Sequence, residues 1–308
     1  MKKFVLYSCA VLPMVFWAMT FIWYKIVLDI IDPVSVIFFR LVIASLLLIF
    51  FTKYIFRTKE KLGRKDYSKM FVLAFFEPFI YFLGESYGML YVSPTIASVI
   101  ISLIPVMTPV FAFKILNEKL NIFNIAGLVL SFFGVILILV NPSAGADFTL
   151  KGISLLFLAV LGSVGYGISV KKLSADYSSM TITKYQSIFG TFLFLPLFLF
   201  IDYHGLSGKI VLSFENNTFF TLAVTLFSMS LFASVLAFVL IIKPIRELGI
   251  SKANVFTNLI PVFTAVLSYF IINEQFDARK ITGIAVVLSG IVMSQLKGVF
   301  RKKTFQIM

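Results

Sequence analysis

Charge is what this 308-residue chain has least of: charged residues make up 13% against 60% hydrophobic, and mean hydropathy is +1.01. A soluble domain carries roughly twice that charge fraction, so an ordinary water-soluble fold is excluded. Cysteine and histidine each occur once, as Cys9 and His204. A single cysteine closes no intramolecular disulfide. His204 has no Cys, Asp or Glu cluster at ligand spacing and no His-Glu-x-x-His run, so neither a metal site nor a nucleophile–base pair is in view. No Gly-x-x-x-x-Gly-Lys loop is present to cradle ATP. No cofactor is implied, and a membrane-embedded enzyme is the weaker class.

The charge that remains is lopsided, with 27 Lys and Arg against 14 Asp and Glu. These basic residues sit in short loops between apolar runs, where cytoplasmic membrane loops carry them, so nucleic acid is not the partner. A bilayer core needs about 20 apolar residues per helix. Runs that meet or approach this are Phe4–Val27, Val34–Ile55, Met70–Val92, Thr95–Leu116, Ile122–Val140, Ile153–Val170, Ile182–Phe200, Phe219–Ile242, Ile250–Ile272 and Ile281–Leu296. The first follows Lys2 and Lys3 but is too long for a signal-peptide core and lacks a small-residue cleavage site, so it reads as an uncleaved helix.

Loop charge alternates. Lys53, Arg57, Lys59, Lys61, Arg64, Lys65 and Lys69 lie between runs two and three, Lys171 and Lys172 between six and seven, and Lys243, Arg246 and Lys252 between eight and nine. Lys297, Arg301, Lys302 and Lys303 close the chain, while the intervening loops, including Asp202–Asn217, are poorer in Lys and Arg. Both termini are therefore expected in the cytoplasm.

The sequence also repeats itself. A shift of 156 positions aligns Ala97 with Ala253, Leu103 with Leu259, Pro105 with Pro261, Thr108 with Thr264, Glu118 with Glu274, Gly127 with Gly283 and Gly134 with Gly290. Earlier in each half the shift is 146, which places Lys25 on Lys171 and Arg40 on Gln186. A fixed period of half the chain means two copies of one unit. With five runs per copy, an odd number, the second copy enters the membrane from the opposite side. The expected fold is an all-α integral membrane protein of ten transmembrane helices in two inverted five-helix repeats, residues 4–140 and 150–297, an arrangement common in secondary transporters.

On Pro105, Glu118, Gly127 and Gly134, matched by Pro261, Glu274, Gly283 and Gly290, the chain resembles the EamA-like ten-helix transporters of the drug/metabolite transporter superfamily. Arg40 with Gln186 opposite suits that resemblance; Trp17-Ala18-Met19-Thr20 matches the usual start of the first helix only in part. Members export amino acids, other metabolites or drugs, and that is what the resemblance implies here.

Pro105 and Pro261 leave the carbonyls of Ile101 and Thr257 without their helical partner. In hydrocarbon such a carbonyl needs another donor or a wet cavity, and paired helix breaks in two halves point to a binding site and its hinges; a packing kink is the plainer reading. Ser98 and Ser102, aligned with Asn254 and Asn258, share a helix face with the prolines and are either substrate-binding or helix–helix glue. Trp17 and Tyr81 are the aromatic candidates for substrate contact. Arg40, Glu77 and Glu85 lie inside apolar runs, where a charge is by default functional. By depth Arg40 and Glu85 could form a pair, which can be structural only. Glu77 sits deeper, with no base in its half at that depth. A carboxyl able to change protonation beside a cavity is a proton carrier; a structural, hydrogen-bonded acid is the alternative. Glu118 and Glu274 read as structural acids at helix N-termini.

Together these features predict a secondary transporter of the inner (plasma) membrane working by alternating access, with protons as the candidate coupling ion; export of amino acids or similar small metabolites is what the resemblance alone implies. A facilitative exchanger or uniporter of drugs or metabolites stays open, as does a non-transporting membrane scaffold. The expected partners are a small-molecule substrate, the lipid bilayer and protons, with the chain acting as a monomer or homodimer.

Overall fold

The computed structural model describes residues 2–57, 60, 62–116, 122–139, 150–248 and 250–295. Every regular element among them is helical. The first half opens with α1 (Lys2–Val27) and α2 (Pro33–Phe50), the latter prolonged by a wide π turn over Phe51–Ile55. α3 (Arg64–Ala74) runs through a wide stretch, Phe75–Ile80, into α4 (Tyr81–Gly88). α5 (Pro94–Ile101), α6 (Ile104–Leu116) and α7 (Ile122–Leu139) complete it. The second half holds α8 (Leu150–Leu173) and α9 (Ser179–Leu197), which continues through a wide turn at Phe198–Asp202 into α10 (Tyr203–Glu215). α11 (Phe219–Ser228) joins α12 (Ala237–Leu248) across the wide stretch Met229–Leu236. α13 (Ile250–Ala253), a 3-10 stretch over Asn254–Asn258, α14 (Leu259–Ile272) and α15 (Ala278–Gln295) follow.

Among the described residues six helical rods are long and apolar enough to cross a membrane: Phe4–Val27, Pro33–Ile55, Arg64–Gly88, Leu150–Leu173, Ser179–Glu215 and Phe219–Leu248. Pro94–Thr108, Ile125–Leu137 and Phe256–Ile272 are apolar but shorter. Two expectations are corrected. The third rod starts at Arg64 rather than Met70, because its first turns are polar and leave no trace in an apolar pattern. The segment Asp202–Asn217, expected as a loop, is mostly the helix α10, anchored by buried Leu206 and Ser213.

Helix breaks fall where the prolines require them. α5 gives way at Ser102 and Leu103, just before Pro105, and the 3-10 stretch ends three residues before Pro261. The wide turns recur in the same way: Phe51–Ile55 answers Phe198–Asp202, and Phe75–Ile80 answers Met229–Leu236.

Equivalent residues of the two halves touch one another. Ser45 and Thr191, 146 positions apart, share a hydrogen bond of 3.3 Å. Ser131 donates to the carbonyl of Val287, 156 positions on, at 3.3 Å. A residue that meets its own counterpart lies near a two-fold relation. The same reciprocity runs along α7 and α15. A Cβ on Gly134 would lie 2.6 Å from the Val287 nitrogen and 2.9 Å from the Gly283 oxygen. One on Gly290 would lie 2.6 Å from the Ser131 nitrogen and 2.7 Å from the Gly127 oxygen. Ascending positions on α7 meet descending positions on α15, so the two helices are antiparallel. Only glycine permits so close a backbone approach.

Carboxylates of one half cap helices of the other. Asp202 accepts from the Ser35 backbone N–H at 2.7 Å and its hydroxyl at 3.0 Å, at the start of α2. Glu60 accepts from the Ser178 N–H at 3.1 Å and hydroxyl at 2.8 Å, at the start of α9. Glu274 accepts from the Thr95 hydroxyl at 2.8 Å, from Ser93 and from Lys280. Each satisfies N–H or hydroxyl donors at an N-terminus that has no helical acceptors of its own. The reading of Glu274 as a structural acid of its own repeat is thus refined: the helix it caps is α5, in the other half. Glu118 lies outside the described residues.

Two outcomes are expected. Gly290→Leu should force α7 and α15 apart and cost about 1–3 kcal/mol, seen as a lower melting temperature of the purified protein than for a leucine placed at the exposed Ser289. For Glu274, burial alone would push the carboxyl up. Hydrogen bonds from Lys280 and Ser93, the Lys280 charge and Thr95 outweigh it and hold the group below its ordinary value. A lowered carboxyl stabilises the fold above its unfolded-state pKa and ceases to do so as pH falls through the folded value. Glu274→Gln should therefore cost about 1 kcal/mol near neutrality, and the gap to wild type should close in acid when melting is followed against pH.

Candidate functional site

Both halves contribute to one internal cavity. Its wall includes Trp17 and Phe21 from α1, Arg40 from α2, Glu77 from the Phe75–Ile80 stretch, and Tyr81, Phe82 and Glu85 from α4. The second half adds Ser163 and Tyr166 from α8 and Phe238, Ile241 and Ile245 from α12. Its volume is about 60 Å³, room for several waters at roughly 10–15 Å³ each. Ile101 and Ile104 line it beside Thr257 and Ile260. These are repeat partners, 156 positions apart, and Ile104 and Ile260 immediately precede the two prolines. The paired helix breaks therefore face the cavity.

Glu77 occupies the break in its own helix. Its backbone is extended, at φ −149° and ψ 114°, and the following bond to Pro78 is cis. The side chain is 5% exposed. Ser163 lies within hydrogen-bonding reach, yet Oε2 has no hydrogen-bond partner among the described residues. Depth along the helix had set Glu77 apart from Arg40 and Glu85; the interrupted backbone brings all three to the same cavity.

The pair expected between Arg40 and Glu85 does not form as a direct ion pair. Arg40, 1% exposed, donates from Nε to the Ser234 hydroxyl at 2.6 Å and from an Nη to the Tyr24 hydroxyl at 3.3 Å. Its guanidinium lies 4.2 Å from the centre of the Phe82 ring. Glu85 accepts from the Tyr81 hydroxyl at 2.9 Å. Tyr24 stands between the two charges, within hydrogen-bonding reach of Glu85 as well. The wide stretch Met229–Leu236 carries Ser234 to Arg40, which is why the guanidinium turns to the second half instead.

Trp17 lines the cavity, with its indole N–H donated to the Ala233 carbonyl at 3.2 Å and its ring edge-on to Phe238 at 5.5 Å. The 146 shift carries Trp17 onto Ser163, and the 156 shift carries Ala233 back onto Glu77. One contact is thus repeated with different chemistry: an indole on a carbonyl in one half, a hydroxyl beside a carboxyl in the other. Tyr81 also lines the cavity.

Ser98 and Ser102 are corrected. Both are fully buried and donate to carbonyls of their own helix, Thr95 at 2.7 Å and Val99 at 2.6 Å, away from the cavity wall. A serine on the right helix face can satisfy its hydroxyl locally, and the face alone does not show it. Asn258 is not on the wall either, although its Oδ1 is buried without a partner among the described residues. The side chain of Asn254 lies outside the described residues. Pro105 and Pro261 are buried behind the wall. Sequence reasoning missed Ser234, Phe82 and Ser163. The shift that pairs Trp17 with Ser163 was a usable signal for the last; nothing in the sequence marked the other two.

A model of the EamA-like transporter family matches the chain twice, over residues 5–140 and 150–296. The chain belongs to this family. It is a multi-pass membrane transporter of the drug/metabolite transporter superfamily. The uncharacterized transporter YetK of Bacillus subtilis is 29% identical over 84% of this chain and 77% of its own length. An uncharacterized transporter of Archaeoglobus fulgidus is 25% identical over 94% and 98%. A chloroplastic WAT1-related protein of Arabidopsis thaliana is 26% identical over 94% and 69%. One protein of known crystal structure superimposes with a TM-score of 0.68 at 11% identity, covering 97% of this chain and 99% of the other, a likeness of fold.

In this transporter, Arg40→Lys should lower the melting temperature, because an ammonium cannot reproduce the Nε bond to Ser234 together with the flat contact on Phe82. Losing a hydrogen bond from so buried a charge costs about 2 kcal/mol, whereas Lys25→Arg, an exchange of the same two residue types outside the cavity wall, should leave melting unchanged.

Proposed function

We propose that this transporter is a secondary carrier that moves small metabolites, amino acids being the class the family resemblance implies, outward by alternating access. Glu77 carries the coupled proton. In this reading the chain spans the inner membrane ten times as two inverted five-helix repeats, residues 4–140 and 150–297, with both termini in the cytoplasm. The antiparallel, reciprocal contact of α7 with α15 supports the inversion, and the alternation of basic loops supports the orientation.

The observation that carries the proposal is the carboxyl oxygen of Glu77, buried, unpartnered among the described residues and set in a cavity with room for water. A group so placed can take up or lose a proton where substrate would sit. Arg40 and Glu85 complete the charged lining; Tyr81 and Trp17 supply the aromatic part. Pro105 and Pro261, just behind Ile104 and Ile260, serve as hinges on which the cavity wall shifts between faces. The second reading, a facilitative exchanger or uniporter, leaves Glu77 structural.

Metabolites released by cells expressing the protein should be compared with an empty-vector control by untargeted mass spectrometry, as a function of external pH. At least one compound should accumulate outside, and Glu77→Gln should abolish the pH dependence of its release. Release that keeps its full pH dependence in the variant would assign Glu77 to structure. No difference from the control would overturn the carrier reading.

A further inference from the structure

The charges around the cavity do not balance. Two carboxyls, Glu77 and Glu85, face one guanidinium, and no other Lys, Arg or His lines the space among the described residues. That guanidinium is already committed. Arg40 is held by Ser234 and Tyr24, and Phe82 covers its face. Glu85 has a donor in Tyr81. The group left over is Glu77, with Oε2 unmatched. The titratable groups facing it from the elements around it are Glu85, Tyr81, Tyr166 and Arg40, and among these only Arg40 is a cation.

A buried carboxylate with an open lone pair calls for an N–H donor, and a charged donor makes the stronger bond. The adjoining wall is aromatic and aliphatic, from Trp17, Phe21, Tyr166 and Phe238 to Ile241 and Ile260. Aromatic faces attract ammonium groups and also cover an apolar body. A carboxylate on the ligand would find no comparable reception: Arg40 is covered, and Glu85 beside it repels a second anion.

We infer that the cavity binds a primary amine on an apolar body, its ammonium seated on Glu77, in preference to a zwitterion bearing the same body. This replaces the amino-acid class that the resemblance implies with amines, and it rests on the carrier reading above. The cavity as it stands holds about 60 Å³, so its wall must move to admit the body, as the carrier reading requires; the preference itself is set by the unpaired carboxyl, since the amine and its amino-acid analogue share everything but one carboxylate.

The test is calorimetric titration of the protein in lipid nanodiscs with 2-phenylethylamine, L-phenylalanine and 3-phenylpropionate, which share a ring and chain and differ in their charged ends. The amine should bind at least about tenfold more tightly than either of the others, the step expected for one charged hydrogen bond. Glu77→Gln should remove that preference, and Glu77→Asp, which keeps the carboxyl, should retain it. Equal or tighter binding of phenylalanine or phenylpropionate would overturn the inference. So would absence of amine binding to wild type, or amine binding unmoved in Glu77→Gln. Metabolite release by expressing cells without amine binding would sink the amine assignment and leave the carrier standing; amine binding at Glu77 without any release would do the reverse.

Discussion

Inside hydrocarbon every backbone N–H and C=O must be answered by the protein, and a helix can be interrupted only where something replaces its lost bonds. Four of the interruptions in this chain obey that constraint by turning inward. Those at Ser102–Leu103 and Asn254–Asn258 present Ile101, Ile104, Thr257 and Ile260 to the cavity. Phe75–Ile80 presents Glu77, and Met229–Leu236 presents Ser234 to Arg40 and the Ala233 carbonyl to Trp17. The places where the helices fail therefore supply Glu77, Thr257 and the paired isoleucines to a wall whose remaining residues come from regular helix.

A second constraint comes from the helix ends. Each N-terminus carries unanswered N–H groups, and three of them are answered from the opposite half, by Asp202 on α2, Glu60 on α9 and Glu274 on α5. These contacts hold the halves together with groups at the ends of the rods. The glycine crossing of α7 and α15 and the Ser45–Thr191 contact hold them in the middle. Apolar packing alone would be poorly specific here, since lipid tails offer a competing apolar surface.

Much of this was legible in the sequence, and the limits have physical causes. The apolar runs, the duplicated proline and glycine positions and the intramembrane charges follow from residue type and period, and the all-helical fold and family follow from them. The partners of those charges did not. Depth along a straight helix put Arg40 with Glu85, but Arg40 chose Ser234 because a widened turn nearly 200 residues away brought that hydroxyl within 2.6 Å. Ser98 and Ser102 sit on the face chosen for them yet spend their hydroxyls on their own helix. Glu274 was placed by local dipole logic on the helix that follows it, and Lys280 of that helix does pair with it, but the carboxylate also reaches Thr95 and Ser93, 179 and 181 positions earlier. Period and composition report the face of a helix; they do not report which distant backbone will be short of an acceptor.

The reciprocal contacts have an energetic consequence. In a molecule whose halves match across a two-fold relation, each conformation has a partner conformation in which the halves trade roles, and identical halves would make the two degenerate. Contacts on the axis, such as Ser45 with Thr191, are common to both members of the pair and cannot favour either. Only positions where the copies have diverged lift the degeneracy, Arg40 against Gln186 and Glu77 against Ala233 among them, and a bias of 1.4 kcal/mol is about a tenfold shift in occupancy. Under the carrier reading proposed above, the residues that give the cavity its charge are then also among those that bias which way it rests open.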